Sequence, residues 1–278
     1  MAKYKLTLEY DGTGYSGWQT QKNARSIQGT LIEAAQRLFG QDVDVQGAGR
    51  TDAGVHALAQ AAHIEADKTL PPKKIMEGLN DLLPSNINVL RVEKASDRFH
   101  ARHHATARTY IYIVSQSRTA FGKRYVWWVR DSLNPEKMQA ACRLFEGMHD
   151  FASFADKRFD KDVSTLVKID RIEIALREGL IVFRVTGSHF LWKMVRRMVG
   201  VLVEVGRGKL TAGDVEGMLT AFSEAPAQYT APPSGLFLMQ VRYEGDREEP
   251  LRLPFLLTPF IQEDDPRTRA VISQKQRM

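Results

Sequence analysis

The chain has 278 residues, 43% of them hydrophobic and 26% charged, with a net charge of +6 and a pI near 9.4. That is enough apolar material for a core in one large domain or two smaller ones, and it excludes a low-complexity or disordered chain. No apolar run reaches the roughly 18 to 20 residues of a membrane helix, and the single cysteine, Cys142, excludes an internal disulfide and a zinc site built on several thiolates. Cys142 reads as a small buried apolar residue on a helix. The N-terminus alternates apolar and polar residues where a signal peptide would carry an apolar core, so a soluble cytoplasmic protein is expected.

Along the chain, Tyr4, Leu6, Leu8 and Tyr10 alternate with Lys5, Thr7 and Glu9 and predict a half-buried strand, broken by Asp11-Gly12-Thr13-Gly14. Ser26 caps a helix with the apolar stripe Ile27, Leu31, Ala35 and Leu38, ending at Gly40. A short strand over 43–45, a glycine-rich loop and a strand over 59–66 follow. Pro71-Pro72 opens a helix through Ile75, Leu79 and Leu82, and a strand covers 87–92. The second half predicts strands over 109–115 and 124–129 and a helix from Asn134 through Phe145. A hairpin over 169–176 and 181–187, turning at Glu178-Gly179, precedes two more helices and a last strand over 236–243. Strands and helices mix in both halves, which gives an α+β protein with two sheet-bearing lobes, 1–105 and 106–245, and a charged tail, 246–278.

Charge is not spread evenly. From Arg98 to Arg130 there are seven basic residues and no acid, with Tyr110, Tyr112, Tyr125, Trp127 and Trp128 among them. Cations that neutralise phosphates, with rings that stack on unpaired bases, suit RNA. The alternative is a solvated basic sheet face over core aromatics.

Three segments could carry chemistry. In the loop Gly47-Ala48-Gly49-Arg50-Thr51-Asp52-Ala53-Gly54-Val55-His56, three glycines allow sharp turns and close approach of a ligand, and they concentrate Arg50, Thr51, Asp52 and His56 on one turn. It lacks the Gly-Lys-Ser/Thr ending of a phosphate loop; read blandly, Asp52 only caps a turn and Arg50 faces water. The second segment runs from Arg98-Phe99-His100-Ala101-Arg102 to Arg108-Thr109-Tyr110, where Tyr110 and Tyr112 share one strand face. No metal is expected, although His100, His103 and His104 could be imagined as ligands. The third is a helix over 189–205 with Phe190, Leu191, Met194, Val195, Met198 and Leu202 on one half and His189, Lys193, Arg196, Arg197 and Gly200 on the other. An aspartate in a cleft needs a cation to orient it, and an arginine there supplies one.

Taken in order, these segments resemble the bacterial pseudouridine synthases that act on the tRNA anticodon arm (the TruA family). The resemblance covers roughly residues 3–245. It runs through Leu8-Glu9-Tyr10-Asp11-Gly12, Gly17-Trp18-Gln19, Gly49-Arg50-Thr51-Asp52-Ala53-Gly54-Val55-His56, Phe99-His100-Ala101-Arg102, Arg108-Thr109-Tyr110, Gly147-Met148-His149-Asp150-Phe151 and Met194-Val195-Arg196-Arg197-Met198-Val199-Gly200. His103-His104, Trp192-Lys193 and the tail depart from it.

The resemblance implies the pseudouridine synthase fold, two lobes of similar topology around a central basic cleft, and isomerisation of uridine without a cofactor. It implies Asp52 as the catalytic carboxylate and Tyr110 as the ring stacked on the uracil. Arg196 would be the cation paired with Asp52, with Arg197 in its place if the helix register differs. Arg50 would fill the space left by a flipped uridine, and Arg102 and Arg108 would contact the substrate. The implied partners are tRNA at nucleotides 38, 39 and 40 and a second copy of the chain in a homodimer. The rival expectations are the same chemistry at another RNA position, a non-catalytic tRNA-binding protein, and a metal hydrolase using the histidines.

Overall fold

In β1 (Ala2–Tyr10), Tyr4, Leu6, Leu8 and Tyr10 are buried and the residues between them are not, so the period-two pattern marks one face of a sheet. The computed structural model describes residues 1–156, 164–177 and 179–254. α1 (Ile27–Phe39) begins at Ser26, whose Oγ accepts from the Gly29 N–H at 3.1 Å, and it ends at Gly40 with φ 69°. Both ends follow from side-chain capping and the left-handed conformation that glycine tolerates. β2 (Asp44–Gly47), β3 (His56–Ala66), α2 (Pro72–Leu82) and β4 (Ile87–Lys94) complete the first half.

The second half holds β5 (Ala107–Ser115), β6 (Trp127–Trp128), α3 (Pro135–Cys142), β7 (Gly147–Asp150), β8 (Leu166–Arg177) and β9 (Leu180–Gly187). α4 (Met194–Gly206), α5 (Ala212–Thr220), α6 (Ala225–Gln228) and β10 (Leu236–Arg242) follow. The class is α+β. Among the described residues the strands form one sheet in the order β4-β1-β3-β10-β5-β9-β8-β7, with β2 on β3 and β6 on β5. The last strand joins the halves: β10 runs parallel to β3 and antiparallel to β5. Glu178, in the expected hairpin turn, lies outside the described residues, as do residues 255–278 of the tail.

Two short elements, β7 and α6, were not expected, and three others differ from expectation. The strand over 124–129 shrinks to Trp127–Trp128, parallel to the end of β5. The helix from Asn134 keeps its cap (Asn134 Oδ1 accepts from the Lys137 N–H at 2.8 Å) but tightens into a 3₁₀ turn over Arg143–Phe145. α4 starts at Met194, not at His189, because Lys193 sits at φ 63°. The apolar spacing ran past the true start because Leu191 is buried from a loop as fully as a helical residue would be.

The main core lies between the helices and one sheet face, where Tyr110, Tyr112, Phe183, Val185 and Leu238 meet Met194, Met198 and Leu202. Cys142 is fully buried there, and burial pushes its thiol up. The alternate residues Ile111, Ile113, Val182, Phe237 and Met239 form a smaller cluster on the other face. The start of the tail covers it: Leu251 and Leu253 pack there, and an Arg252 Nη donates to Leu58 O at 2.9 Å. No described helix is long and apolar enough to cross a membrane.

Candidate active site

The loop between β2 and β3 is fastened from below and open above. The Trp18 N–H donates to Thr51 O at 3.0 Å and the Ala48 N–H to Ala61 O at 2.8 Å. Tyr10 Oη and Thr51 Oγ1 are 2.9 Å apart, and Gln60 Nε2 donates to Gly49 O at 3.0 Å. The segment before α1 presses against this loop so closely that glycine is required. A Cβ on Gly12 would lie 2.0 Å from Val55 O, and one on Gly17, at φ 93°, would lie 2.5 Å from Thr51 O. The Val55 N–H closes a turn on Asp52 O at 3.1 Å, with Gly54 at φ 75°. Asp52 is thereby held at the crest of a fixed turn.

Arg196 meets Asp52 from α4. Its Nη1 donates to Asp52 Oδ2 at 2.9 Å, with side-chain exposures of 12% and 20%. Its Nε donates to Ala231 O at 2.7 Å, so the guanidinium is braced from behind. That brace depends on Gly200, one helical turn on, where a Cβ would lie 1.6 Å from Tyr229 O. Arg197 points elsewhere: it is buried and donates to the carbonyls of Ser153 and Ala155. The polar half of this helix is therefore not a solvated basic face, because both arginines are engaged inside the protein.

Tyr110 lies beside the pair, only 8% exposed. Burial pushes its phenol up to about 12; the Asp52 charge adds to the effect and Arg108 opposes it. Its ring meets Phe190 edge-on, with centroids 5.1 Å apart. Tyr112, on the same strand face, is buried and donates to Pro232 O at 2.7 Å, so it belongs to the core.

Arg108 was expected at the substrate. Its Nη1 donates to Ala105 O and Ser188 O at 3.1 and 2.8 Å, and its Nη2 to Ala48 O and Arg102 O at 3.1 and 2.9 Å. All four terminal N–H groups thus clasp three loops, the Asp52 loop among them. Arg50 and Arg102 are exposed and line a cleft of about 340 Å³ with Trp18, Gln46 and His100.

The histidines support the turn that carries Arg102. His63 Nδ1 accepts from the Ala101 N–H at 3.2 Å, and His104 Nδ1 accepts from the His100 N–H at 3.2 Å. His100 Nδ1 accepts from the Arg102 and His103 N–H groups at 3.2 and 3.3 Å, while its Nε2 faces Gln46 Oε1 at 3.0 Å. An imidazole accepts at Nδ1 only when that nitrogen is unprotonated.

Burial lowers the pKa of His63 and of His100; nearby Lys3 lowers both further, while Glu65 and Asp44 oppose it at His63. Folded values below the unfolded 6.5 mean that the native state binds fewer protons. This contribution to stability is therefore complete above that pH and lost as pH falls below it. The melting temperature is expected to drop between pH 7 and 5, by about 2–4 °C per kcal/mol lost. A His63→Gln variant, which retains an acceptor, should show a flatter dependence, and equal slopes in thermal melts would contradict this.

Two features of the site gave no readable signal: the place of Phe190 and the partners of His56. Phe190 was absorbed into an apolar stripe. His56 lies between Asp11 Oδ1, 3.0 Å from its Nδ1, and Arg124 O, 3.1 Å from its Nε2; these partners are distant in sequence.

The tRNA pseudouridine synthase family profile matches residues 7–104 and 141–244. A tRNA pseudouridine synthase A of Ruminiclostridium cellulolyticum is 39% identical over 87% of this chain and 100% of its own length. Its counterpart from Rhodopseudomonas palustris is 42% identical over 88% and 100%, and that from Brucella ovis 38% identical over 87% and 98%. Two matched blocks that carry the Asp52 loop and the Arg196 helix, with relatives aligned over nearly their whole length, place this chain in the tRNA pseudouridine synthase family, isomerases that convert uridine to pseudouridine.

Proposed function

We propose that the substrate uridines lie at nucleotides 38, 39 and 40 of the tRNA anticodon arm, that Asp52, Tyr110 and Arg196 carry out the isomerisation, and that the enzyme works as a cytoplasmic homodimer. The observation that carries the site assignment is the Arg196–Asp52 contact beside Tyr110, where a partly exposed carboxylate is fixed between the two halves of the chain. The ordered motifs shared with the anticodon-arm enzymes support the positions.

In this reading the lobes 1–105 and 106–245 form the two walls of a central basic cleft that extends from the Arg50–Arg102 pocket, the first supplying Asp52 and the second Tyr110 and Arg196. The N1–C1′ bond breaks, the uracil turns, and C5 bonds to C1′. The proton lost from C5 is balanced by one gained at N1. Atoms and electrons balance within the nucleotide, so the chemistry calls for no cofactor. Asp52 supplies the carboxylate for the covalent step. Tyr110 enters protonated, stacks on the uracil through its ring, and places its hydroxyl near C5. Arg50 fills the stack vacated by the uridine, offsetting a cost of a few kcal/mol. Arg102 contacts phosphate, whereas Arg108 contributes by holding the loops.

The test is modification mapping on unmodified tRNA transcripts that carry uridine at 38, 39 or 40, or only elsewhere, in the presence of chelator. Conversion confined to the anticodon arm is expected; conversion only elsewhere would overturn the positional claim. Tyr110→Phe keeps the ring and removes the hydroxyl. It is expected to slow single-turnover conversion by about 10²-fold or more while leaving tRNA affinity within about threefold. A rate within twofold of wild type would deny the hydroxyl any part.

A further inference from the structure

The basic, aromatic stretch from Arg98 to Arg130 divides in the structure. Tyr110, Tyr112 and Val126 are buried. Residues 116–124, between β5 and β6, are left standing out, with Phe121 at 96% exposure and Arg118, Lys123 and Arg124 exposed around it. Trp128, also exposed, lies under Arg118, whose guanidinium carbon is 5.8 Å from the ring centroid.

Single exposed apolar side chains are ordinary on protein surfaces. This one sits on a built support. The Gln116 N–H donates to Gly179 O at 3.0 Å, the Gly122 N–H to Thr119 Oγ1 at 3.1 Å, and the Tyr125 N–H to Gly122 O at 2.8 Å. The far end is tied to the active-site loop: His56 Nε2 is 3.1 Å from Arg124 O, and the Tyr125 hydroxyl donates to Asp11 Oδ2 at 2.9 Å. Topology places it there. β10 runs parallel to β3 and antiparallel to β5, so β5 ends at the same end of the sheet where β3 begins, directly after Asp52 and Gly54.

We propose that residues 116–124 form an RNA-binding arm in which Phe121 stacks on an unpaired base of the tRNA, other than the target uridine, while Arg118, Lys123 and Arg124 neutralise the flanking phosphates. Charge favours RNA over a protein partner, since the whole 98–130 stretch holds no acid and the substrate is a polyanion. An exposed aromatic residue on a secured loop, with cations close to it in the chain, is the arrangement that binds unpaired nucleotides by stacking, and it tolerates any base because every base has a π face. The proposal rests on the cleft beside Asp52 being the tRNA site.

The experiment measures Kd for an unmodified tRNA transcript, conversion at saturating tRNA, and sedimentation, for wild type, Phe121→Ala, Phe121→Leu and Phe121→Trp. At 96% exposure Phe121 contributes little packing, so all four proteins should melt alike. Kd is expected to rise about five- to a hundredfold for the alanine and leucine variants and to stay near wild type for tryptophan. Conversion at saturation should hold within about twofold, with sedimentation unchanged. An unchanged Kd for Phe121→Ala would overturn the proposal, as would equal Kd for leucine and tryptophan. A rise in Kd accompanied by dissociation of the protein would overturn it in favour of a contact between copies. Wild-type conversion of the same transcript is the control: if it fails, the reading of the cleft fails, and if it succeeds while Phe121→Ala binds normally, only the arm is lost.

Discussion

Asp52→Asn is expected to abolish conversion, by about 10⁴-fold or more in single-turnover rate, while the protein still folds and binds tRNA. Asparagine has the same shape and can still accept from Arg196 Nη1 through its amide oxygen. What disappears is the negative charge that lets the side chain attack or abstract. The loop itself is secured by backbone contacts at Ala48, Gly49, Thr51 and Val55, none of which uses the carboxylate. The melting temperature should therefore change far less than the rate. Fluorescence or filter binding, together with a pseudouridine assay, separates the two effects. A variant that retained more than about a hundredth of the wild-type rate would remove Asp52 from the covalent step.

Arg196→Met is expected to reduce both rate and stability. It removes the cation beside Asp52 and the donor to Ala231 O while keeping a long apolar stem. Losing one preorganised charge partner typically costs about 10²–10³ in rate. Leaving Asp52 unpaired should cost about 2–3 kcal/mol of stability, less than the roughly 3–5 of a fully buried pair because the Asp52 side chain remains 20% exposed. In a chain of this size that lowers the melting temperature by about 5–10 °C. Arg196→Lys should fall between, since one ammonium cannot reach Asp52 and Ala231 O in the two fixed directions of a guanidinium. A lysine variant equal to wild type in both measurements would mean that charge alone suffices and the brace is idle. Arg197→Met, by contrast, should destabilise through the Ser153 and Ala155 carbonyls without the same selective loss of rate.

Local features of this protein are legible because they depend on neighbours in sequence. The alternation in β1, the Ser26 cap, the Gly40 stop and the crowded Gly47–Gly54 loop could each be read within a dozen residues. Features that depend on distant partners could not. Among the described residues the strands join into one sheet because β10, about 170 residues after β3, inserts between β3 and β5. Spacing alone left Arg196 and Arg197 as alternatives; the packing of α4 turns Arg196 to Asp52 and Arg197 to the Ser153 and Ala155 carbonyls. Arg108 was expected at the substrate because the resemblance implied it. Its four carbonyl partners come from three separate loops and leave no mark on the sequence around it. The tail carries too little pattern to announce that Leu251 and Leu253 cover the second face of the sheet.

In the proposed function the Asp52–Arg196 site exchanges the N1–C1′ bond of a tRNA uridine for a C5–C1′ bond. Formation of the new bond must expel the hydrogen at C5, so tRNA labelled with tritium at uridine C5 reports the event directly. The expected result is release of one equivalent of tritium to water for each pseudouridine formed by the wild type in chelator, and none by Asp52→Asn bound to the same tRNA. Equal release by both proteins, or none from any tRNA that the wild type binds, would contradict this assignment of the site.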